Sequence, residues 1–272
     1  MKILILADIH TGTSRDSTTH SGIIRQANTQ AFEKLTQLIP VFNQKNFDLV
    51  VNLGDNLRDT HDKLIDRENL SKTISAIKSI GAETINLLGN HELRSFSKPE
   101  LAEIYTTTKV KPEFFGQKIV NGVQFIWVDL ELKPNKLAYL TANQLDWLNQ
   151  TLDPELPAVI FSHHSIAPIS STGNFYFDQN PAEMSFENSA EIIKILTGKK
   201  VFLAINCHTH MLTNQVKNSV SFNSVLAFSE NIAASNYPTN NPAIYSILEL
   251  EGQKFSLSSY SGEFCFSKIQ NY

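Results

Sequence analysis

The chain has 272 residues, with 23 Lys+Arg against 27 Asp+Glu and a formal charge of −4. Apolar residues make up 42% and charged residues 18%, a balance that excludes a disordered, collagen-like or coiled-coil chain. A chain this long buries about 75% of its unfolded surface and needs no disulfide staples. The acidic balance, with basic runs no longer than scraps such as Lys199-Lys200, also disfavours a long nucleic acid or an anionic membrane as partner. Both are bound by neutralising phosphates with clustered Lys and Arg.

The N-terminus reads as a strand. Met1-Lys2 is followed by five apolar residues, Ile3 to Ala7, and Asp8 stops the run. A secretory leader needs an apolar core of about 7–15 residues, and no stretch approaches the roughly 18 apolar residues of a membrane span. The expected compartment is the cytoplasm. Two cysteines, Cys207 and Cys265, stand outside CxxC spacing and are expected as free thiols.

In chain order, short apolar runs predict strands at 2–7, 48–53, 84–88, 124–129, 158–162 and 201–206. Apolar positions at helical spacing predict helices over 25–45 (Ala27, Ala31, Leu35, Leu38) and 62–80 (Leu64, Leu70, Ile74, Ile77). Thr141 opens a Thr-Ala-Asn-Gln capping-box pattern before a further helix. After residue 211 the rhythm changes to strands alone, at 212–217, 220–228, 243–251 and 254–261, with turn residues between them as in hairpins. No linker or repeat divides the chain, so one domain over 1–272 is expected. Polar loops at 11–22, 168–186 and 229–242 interrupt the frame, and long loops in a compact domain are more often functional than idle.

The chemistry gathers where the predicted strands end. The first run leads into Asp8-Ile9-His10, the second into Gly54-Asp55-Asn56, and the third into Gly89-Asn90-His91-Glu92. The run at 158–162 leads into His163-His164, and the run at 201–206 into Cys207-His208-Thr209-His210. Six of the eight histidines sit at these ends, the edge at which open α/β sheets bind ligands. Carboxylates, imidazoles and an Asn amide suit borderline divalent metals: Mn, Fe, Co, Ni or Zn. Asp8, His10, Asp55, Asn90, His163, His208 and His210 are too many for one tetrahedral ion and suit two ions sharing a bridge. Two metals about 3.5–4 Å apart form a clamp for in-line attack on phosphorus.

The ordered series D-x-H, G-D, G-N-H-E, H and H-x-H, from Asp8 to His210, resembles the calcineurin-like metallophosphoesterase superfamily. The resemblance implies an α/β fold, a four-layer α/β/β/α sandwich of two mixed β-sheets, with the terminal hairpins in the family's second sheet. It implies one metal on Asp8, His10 and His210, another on Asn90, His163 and His208, and Asp55 bridging them. His91 would face the substrate as the catalytic residue that serves the leaving oxygen. Arg58 is expected to reach a phosphate by bidentate hydrogen bonding, and His164 to lie beside the metals and touch substrate.

Two positions depart from the family pattern. Ser165 stands where a proline often follows the histidine pair, and Cys207 where glycine commonly precedes H-x-H. Glu92, His20 and the aromatic run Phe175-Tyr176-Phe177 are second-tier candidates, and His61 reads as a surface residue. G-N-H-E followed by Gln144 to Leu148 and the histidine pair looks most like the branch that hydrolyses small phosphodiesters or pyrophosphates, such as cyclic nucleotides, nucleoside-diphosphate conjugates or glycerophosphodiesters. The alternatives are a phosphomonoesterase or protein phosphatase, a nuclease of the DNA-repair type, and a non-enzymatic phosphate-binding protein. Protein phosphatases usually carry G-D-x-V-D-R-G where this chain has Gly54-Asp55-Asn56-Leu57-Arg58-Asp59. The residues leave the metal identity and the oligomeric state open.

Overall fold

The computed structural model describes residues 1–12, 17–18, 24–230 and 243–271. Its frame is two six-stranded sheets. The first runs in the order Phe264–Gln270, Lys254–Ser261, Ile244–Glu251, Lys2–Leu6, Leu49–Asn52 and Thr84–Asn86. Its last three strands are parallel, and the C-terminal meander joins them antiparallel, with Lys2 opposite Glu249 and Ile5 opposite Ser246. The second runs in the order Thr213–Lys217, Val220–Ser224, Val201–Asn206, Ala158–Phe161, Val123–Trp127 and Gly116–Val120. Its four inner strands are parallel and its two edges antiparallel.

The strand sequences explain this layering. Val159, Ile160 and Phe161, like Leu4, Ile5 and Leu6, are apolar without alternation because both faces of a parallel strand are covered. One face of each sheet meets the other sheet: Ile3, Ile5 and Val51 pack with Phe125, Phe161 and Leu203. On the outer face of the first sheet, Leu4, Leu6 and Val50 meet helices Asn28–Gln44, Lys63–Lys78 and Lys98–Thr107. On the outer face of the second, Ile126, Ile160 and Ala204 meet helices Ala142–Thr151 and Ser189–Leu196. The result is helix, sheet, sheet, helix, as the resemblance implies.

Some local details differ from expectation. The hairpins do not share a sheet: residues 213–224 close the second sheet, whereas 244–270 return to the first beside the N-terminal strand. Thr141 caps its helix through Gln144 N–H at 3.2 Å, but the Gln144 side chain does not complete the box. It turns to accept Asp129 N–H at 3.0 Å instead. Helix Lys63–Lys78 is capped by Asp62, whose carboxylate accepts from the Leu64 and Ile65 amides. Among the described residues, no helix is long and apolar enough to cross a membrane. Cys207 is buried, Cys265 exposed, and both are free.

Candidate metal centre

The parallel strands of both sheets end at one cleft, and the backbone there is tied across strands. Asp8 N–H donates to Gly54 O at 3.0 Å, His10 N–H to Asp55 O at 2.9 Å, and Cys207 N–H to His163 O at 3.0 Å. His208 N–H donates to Asp8 Oδ2 at 3.1 Å, joining the two sheets. These ties hold five non-glycine residues in the left-handed region: Asp8, His10, Asp55, His208 and His210, with φ between 49° and 68°. Such a conformation costs about 1–3 kcal/mol per residue and persists only where the surroundings over-determine it.

The two motif glycines are steric requirements. A Cβ on Gly89 would lie 2.1 Å from Asp55 Oδ1, and one on Gly54, itself at φ +98°, 2.5 Å from Gly89 N. Glu92 clamps the same two loops. Fully buried, it accepts from the amides of Asp55 (3.0 Å), Asn56 (2.6 Å) and Gly89 (3.0 Å). Burial, with the charge of Asp55, pushes its carboxyl up to about 7.

The side chains converge in two overlapping groups around Asp55. In the first, His210 Nε2 lies 3.7 Å from Asp8 Oδ1 and 3.2 Å from His10 Nε2, and His10 Nε2 lies 3.8 Å from Asp55 Oδ2. In the second, His163 Nε2 lies 3.3 Å from the same Asp55 Oδ2 and 3.0 Å from Asn90 Oδ1. His163 donates through Nδ1 to Leu53 O at 2.9 Å, which leaves Nε2 as the ring atom that faces this group. His208 donates through Nε2 to Glu183 O at 3.0 Å and keeps Nδ1 for a ligand. Its ring lies 5.1 Å from that of His163, centroid to centroid.

Divalent ions fit this donor set. Donor atoms on one ion at about 2.1 Å stand roughly 3–4 Å apart, the spacing of Asp8, His10 and His210 and of His163 with Asp55 and Asn90. Asp8 Oδ1 is buried and has no hydrogen-bond partner among the described residues, as expected of an oxygen that answers a cation. The charges agree. Although burial opposes ionisation of Asp55, the facing charges of His163 and His91 hold its carboxyl well below the usual range. Burial opposes charge on His163 and His210 too, but Asp55 pushes His163 up to about 9. Asp8 and Glu230 push His210 up to about 10. Burial drives His10 and His208 down instead.

Around these donors lies a cleft of about 160 Å³, lined also by His91, Arg58, Arg94, Tyr176 and Phe177. A roomier cavity of about 730 Å³ opens near Phe115 and Trp147, but the ligand-type side chains belong to the small cleft. His91 Nδ1 makes a short hydrogen bond to Asp59, and its Nε2 lies 3.9 Å from Asp55 Oδ2 and 3.5 Å from an Arg94 nitrogen. Burial works against the Asp59 charge, yet the hydrogen bond and charge of His91 hold Asp59 at about 2.

The seven residues read as ligands are thus brought together, with His91 and Arg58 on the same cleft. His164 is placed elsewhere. It is 1% exposed, does not line the cleft, and stacks behind His208 with centroids 3.7 Å apart. Cys207 fills the glycine position without strain, its Sγ 3.2 Å from His163 Nδ1. His61 is exposed, while His20 and most of loops 11–22 and 229–242 lie outside the described residues. Asp59, Arg94 and Glu230 escaped the sequence reading. Asp59 and Arg94 lie within four residues of motif positions, but Glu230 follows His210 by twenty residues with no pattern linking them.

The comparison with known families agrees with this geometry. A family model described as calcineurin-like phosphoesterase matches residues 1–212. The chain belongs to that family. No curated protein sequence matches it. Among solved structures, this calcineurin-like phosphoesterase is similar to a dimetal phosphatase from Danio rerio. The two are 14% identical with a TM-score of 0.77, over 99% of this chain and 98% of that one. It is also similar to the purple acid phosphatase PPD1 from yellow lupin seeds, at 14% identity and TM-score 0.62, over 99% of this chain and 53% of that one. Phosphopantetheinyl hydrolase from Mycobacterium tuberculosis follows at 15% identity and TM-score 0.54, over 83% of this chain and 89% of that one. At such identities these likenesses show the shared fold.

Proposed function

We propose that this calcineurin-like phosphoesterase holds two divalent ions and hydrolyses a small phosphodiester or pyrophosphate. The observation that carries the reading is Asp55. Its Oδ2 faces His163 on one side and His10 on the other, so one carboxylate serves two donor groups. Asp8, His10 and His210 would hold one ion and Asn90, His163 and His208 the other. When bound, the pair supplies Lewis acidity and a nucleophile at neutral pH.

The chain's own residues do the rest. Asn90 contributes an oxygen without charge, which keeps the site cationic enough to draw a phosphate. Asp59 accepts the Nδ1 proton of His91 and orients the ring, and Nε2 is then the atom that delivers a proton to the leaving oxygen. Arg58 and Arg94 offer guanidinium donors to phosphate oxygens. Two arginines beyond the metal donors suit a pyrophosphate, whose second phosphoryl group needs partners of its own. Tyr176 and Phe177 bound the space left for the organic group. The smallness of the cleft favours a second reading, a phosphomonoesterase, and the similar Danio rerio and lupin proteins are described as phosphatases.

Chelator-stripped protein reloaded with Mn²⁺ separates the readings. It would be assayed on bis-p-nitrophenyl phosphate, p-nitrophenyl phosphate and a nucleoside-diphosphate sugar. Turnover of the first or third is expected. Turnover of the monoester alone moves the assignment to a phosphatase, and hydrolysis of none by metal-loaded protein refutes the phosphoesterase reading.

A further inference from the structure

A long loop grips the H-x-H segment from outside. From residues 168–186, the Glu183 carbonyl accepts from His208, and Asn174 Nδ2 donates to Thr209 O at 2.8 Å. The Tyr176 ring meets His210 edge-on at 4.8 Å. A second contact between this loop and His210 passes through a carboxylate. Glu230, 1% exposed, accepts His210 Nδ1–H at 3.0 Å and the Tyr176 hydroxyl at 3.2 Å on the same oxygen, Oε2.

The chemistry of that contact is directional. A carboxylate oxygen accepts, so the bond places a ring proton on Nδ1 and turns Nε2 toward Asp8 and His10 as the atom left for a metal. It also sets negative charge behind the ring, which makes Nε2 a better donor to a cation. His208 is held differently, by the neutral Glu183 carbonyl, which orients a ring without adding charge.

We propose that Glu230 is a positioning residue: it fixes the tautomer and orientation of His210 for metal binding and, through Tyr176, ties the 168–186 loop to that histidine. The inference rests on the two-metal reading above. It predicts that the two ions differ in their dependence on Glu230, since no such contact reaches the Asn90–His163 group among the described residues.

The test is a Co²⁺ titration of metal-free protein followed by visible absorption, with Glu230→Gln, Glu230→Asp and Tyr176→Phe beside the wild type. Wild type is expected to take up two equivalents. In Glu230→Gln one equivalent should bind about 10–100-fold more weakly and the other unchanged, with the metal-free thermal midpoint close to wild type. Glu230→Asp keeps the charge and should recover part of the affinity. Tyr176→Phe should keep both affinities, while protease cuts the metal-loaded loop at 168–186 faster. Wild-type affinities in Glu230→Gln would overturn the proposal. So would equal loss of both ions alongside a lowered metal-free midpoint, since that marks general structural support. A wild type that binds no Co²⁺ would overturn the two-metal reading itself, and the role of Glu230 with it.

Discussion

The donors at the base of the cleft and the residues around its rim are built on different principles. Asp8, His10, Asp55, His163, His208 and His210 stand on turns after parallel strands, and Asn90 opens the short helix Asn90–Ser95. Backbone hydrogen bonds across strands and a buried Glu92 hold those turns. The rim is Arg58 from the loop after Asp55 and Arg94 from the short helix Asn90–Ser95, with Tyr176 and Phe177 from one long loop of the second half. The base pays for its fixed geometry with strained backbone at five residues. The rim carries no such constraint, and under the proposed function the base would set the reaction class and the rim the substrate.

That division can be broken from the base first. Asp55→Asn removes the shared carboxylate charge and should lower kcat/KM on the order of 10³-fold or more with loss of at least one bound ion, read by steady-state kinetics and elemental analysis. Asp59→Asn should lower kcat about 10²–10³-fold while metal content stays at the wild-type level, because only the proton donor is disturbed. Loss of metal in that variant would place Asp59 in the metal site instead.

The base should also show a defined pH dependence. His163 and His210 are raised to about 9 and 10 without metal, so at neutral pH each holds a proton that an incoming ion must displace. Apparent metal affinity therefore falls as pH falls, by about tenfold per pH unit for each proton displaced below pH 9. Calorimetric titrations with Mn²⁺ in buffers of different ionisation enthalpy would count those protons. An affinity flat between pH 6 and 8 would contradict the assignment.

At the rim the effects should be smaller and should depend on substrate. Arg94→Ala is expected to raise KM roughly 10-fold, with a larger loss for a pyrophosphate than for a monoester. Phe177→Ala should change KM only a few-fold, and in different directions for substrates with large and small organic groups. Equal effects of either substitution across all substrates would erase the distinction between base and rim.

The same division governs what the sequence reveals. The donors follow apolar runs whose ends are readable: the strand Val201–Asn206 is found where its pattern places it, and His208 and His210 come with it. Gly54 and Gly89 are visible as motif letters, although only the packing shows that one lies against the other and against Asp55. The left-handed backbone at Asp8, His10, Asp55, His208 and His210 has no letter of its own, since none of them is glycine. The helix Lys98–Thr107 carries a readable Ser97-x-x-Glu100 capping box that the periodicity argument passed over. The return of residues 244–270 to the first sheet depends on pairing Lys2 with Glu249, a contact between the two ends of the chain. Glu230 and Tyr176 meet His210 only in three dimensions, and loops lack the periodicity that marks strands and helices.

The central claim is that one chain holds two ions through a shared Asp55. Elemental analysis of chelator-stripped wild type and Asp55→Asn, after reloading with Mn²⁺ and removal of free metal, tests it most directly. The account predicts two ions per wild-type chain and at most one in the variant, with phosphoester hydrolysis restored only in the first. Two ions retained in Asp55→Asn, or hydrolysis that persists in metal-free wild type, would contradict it.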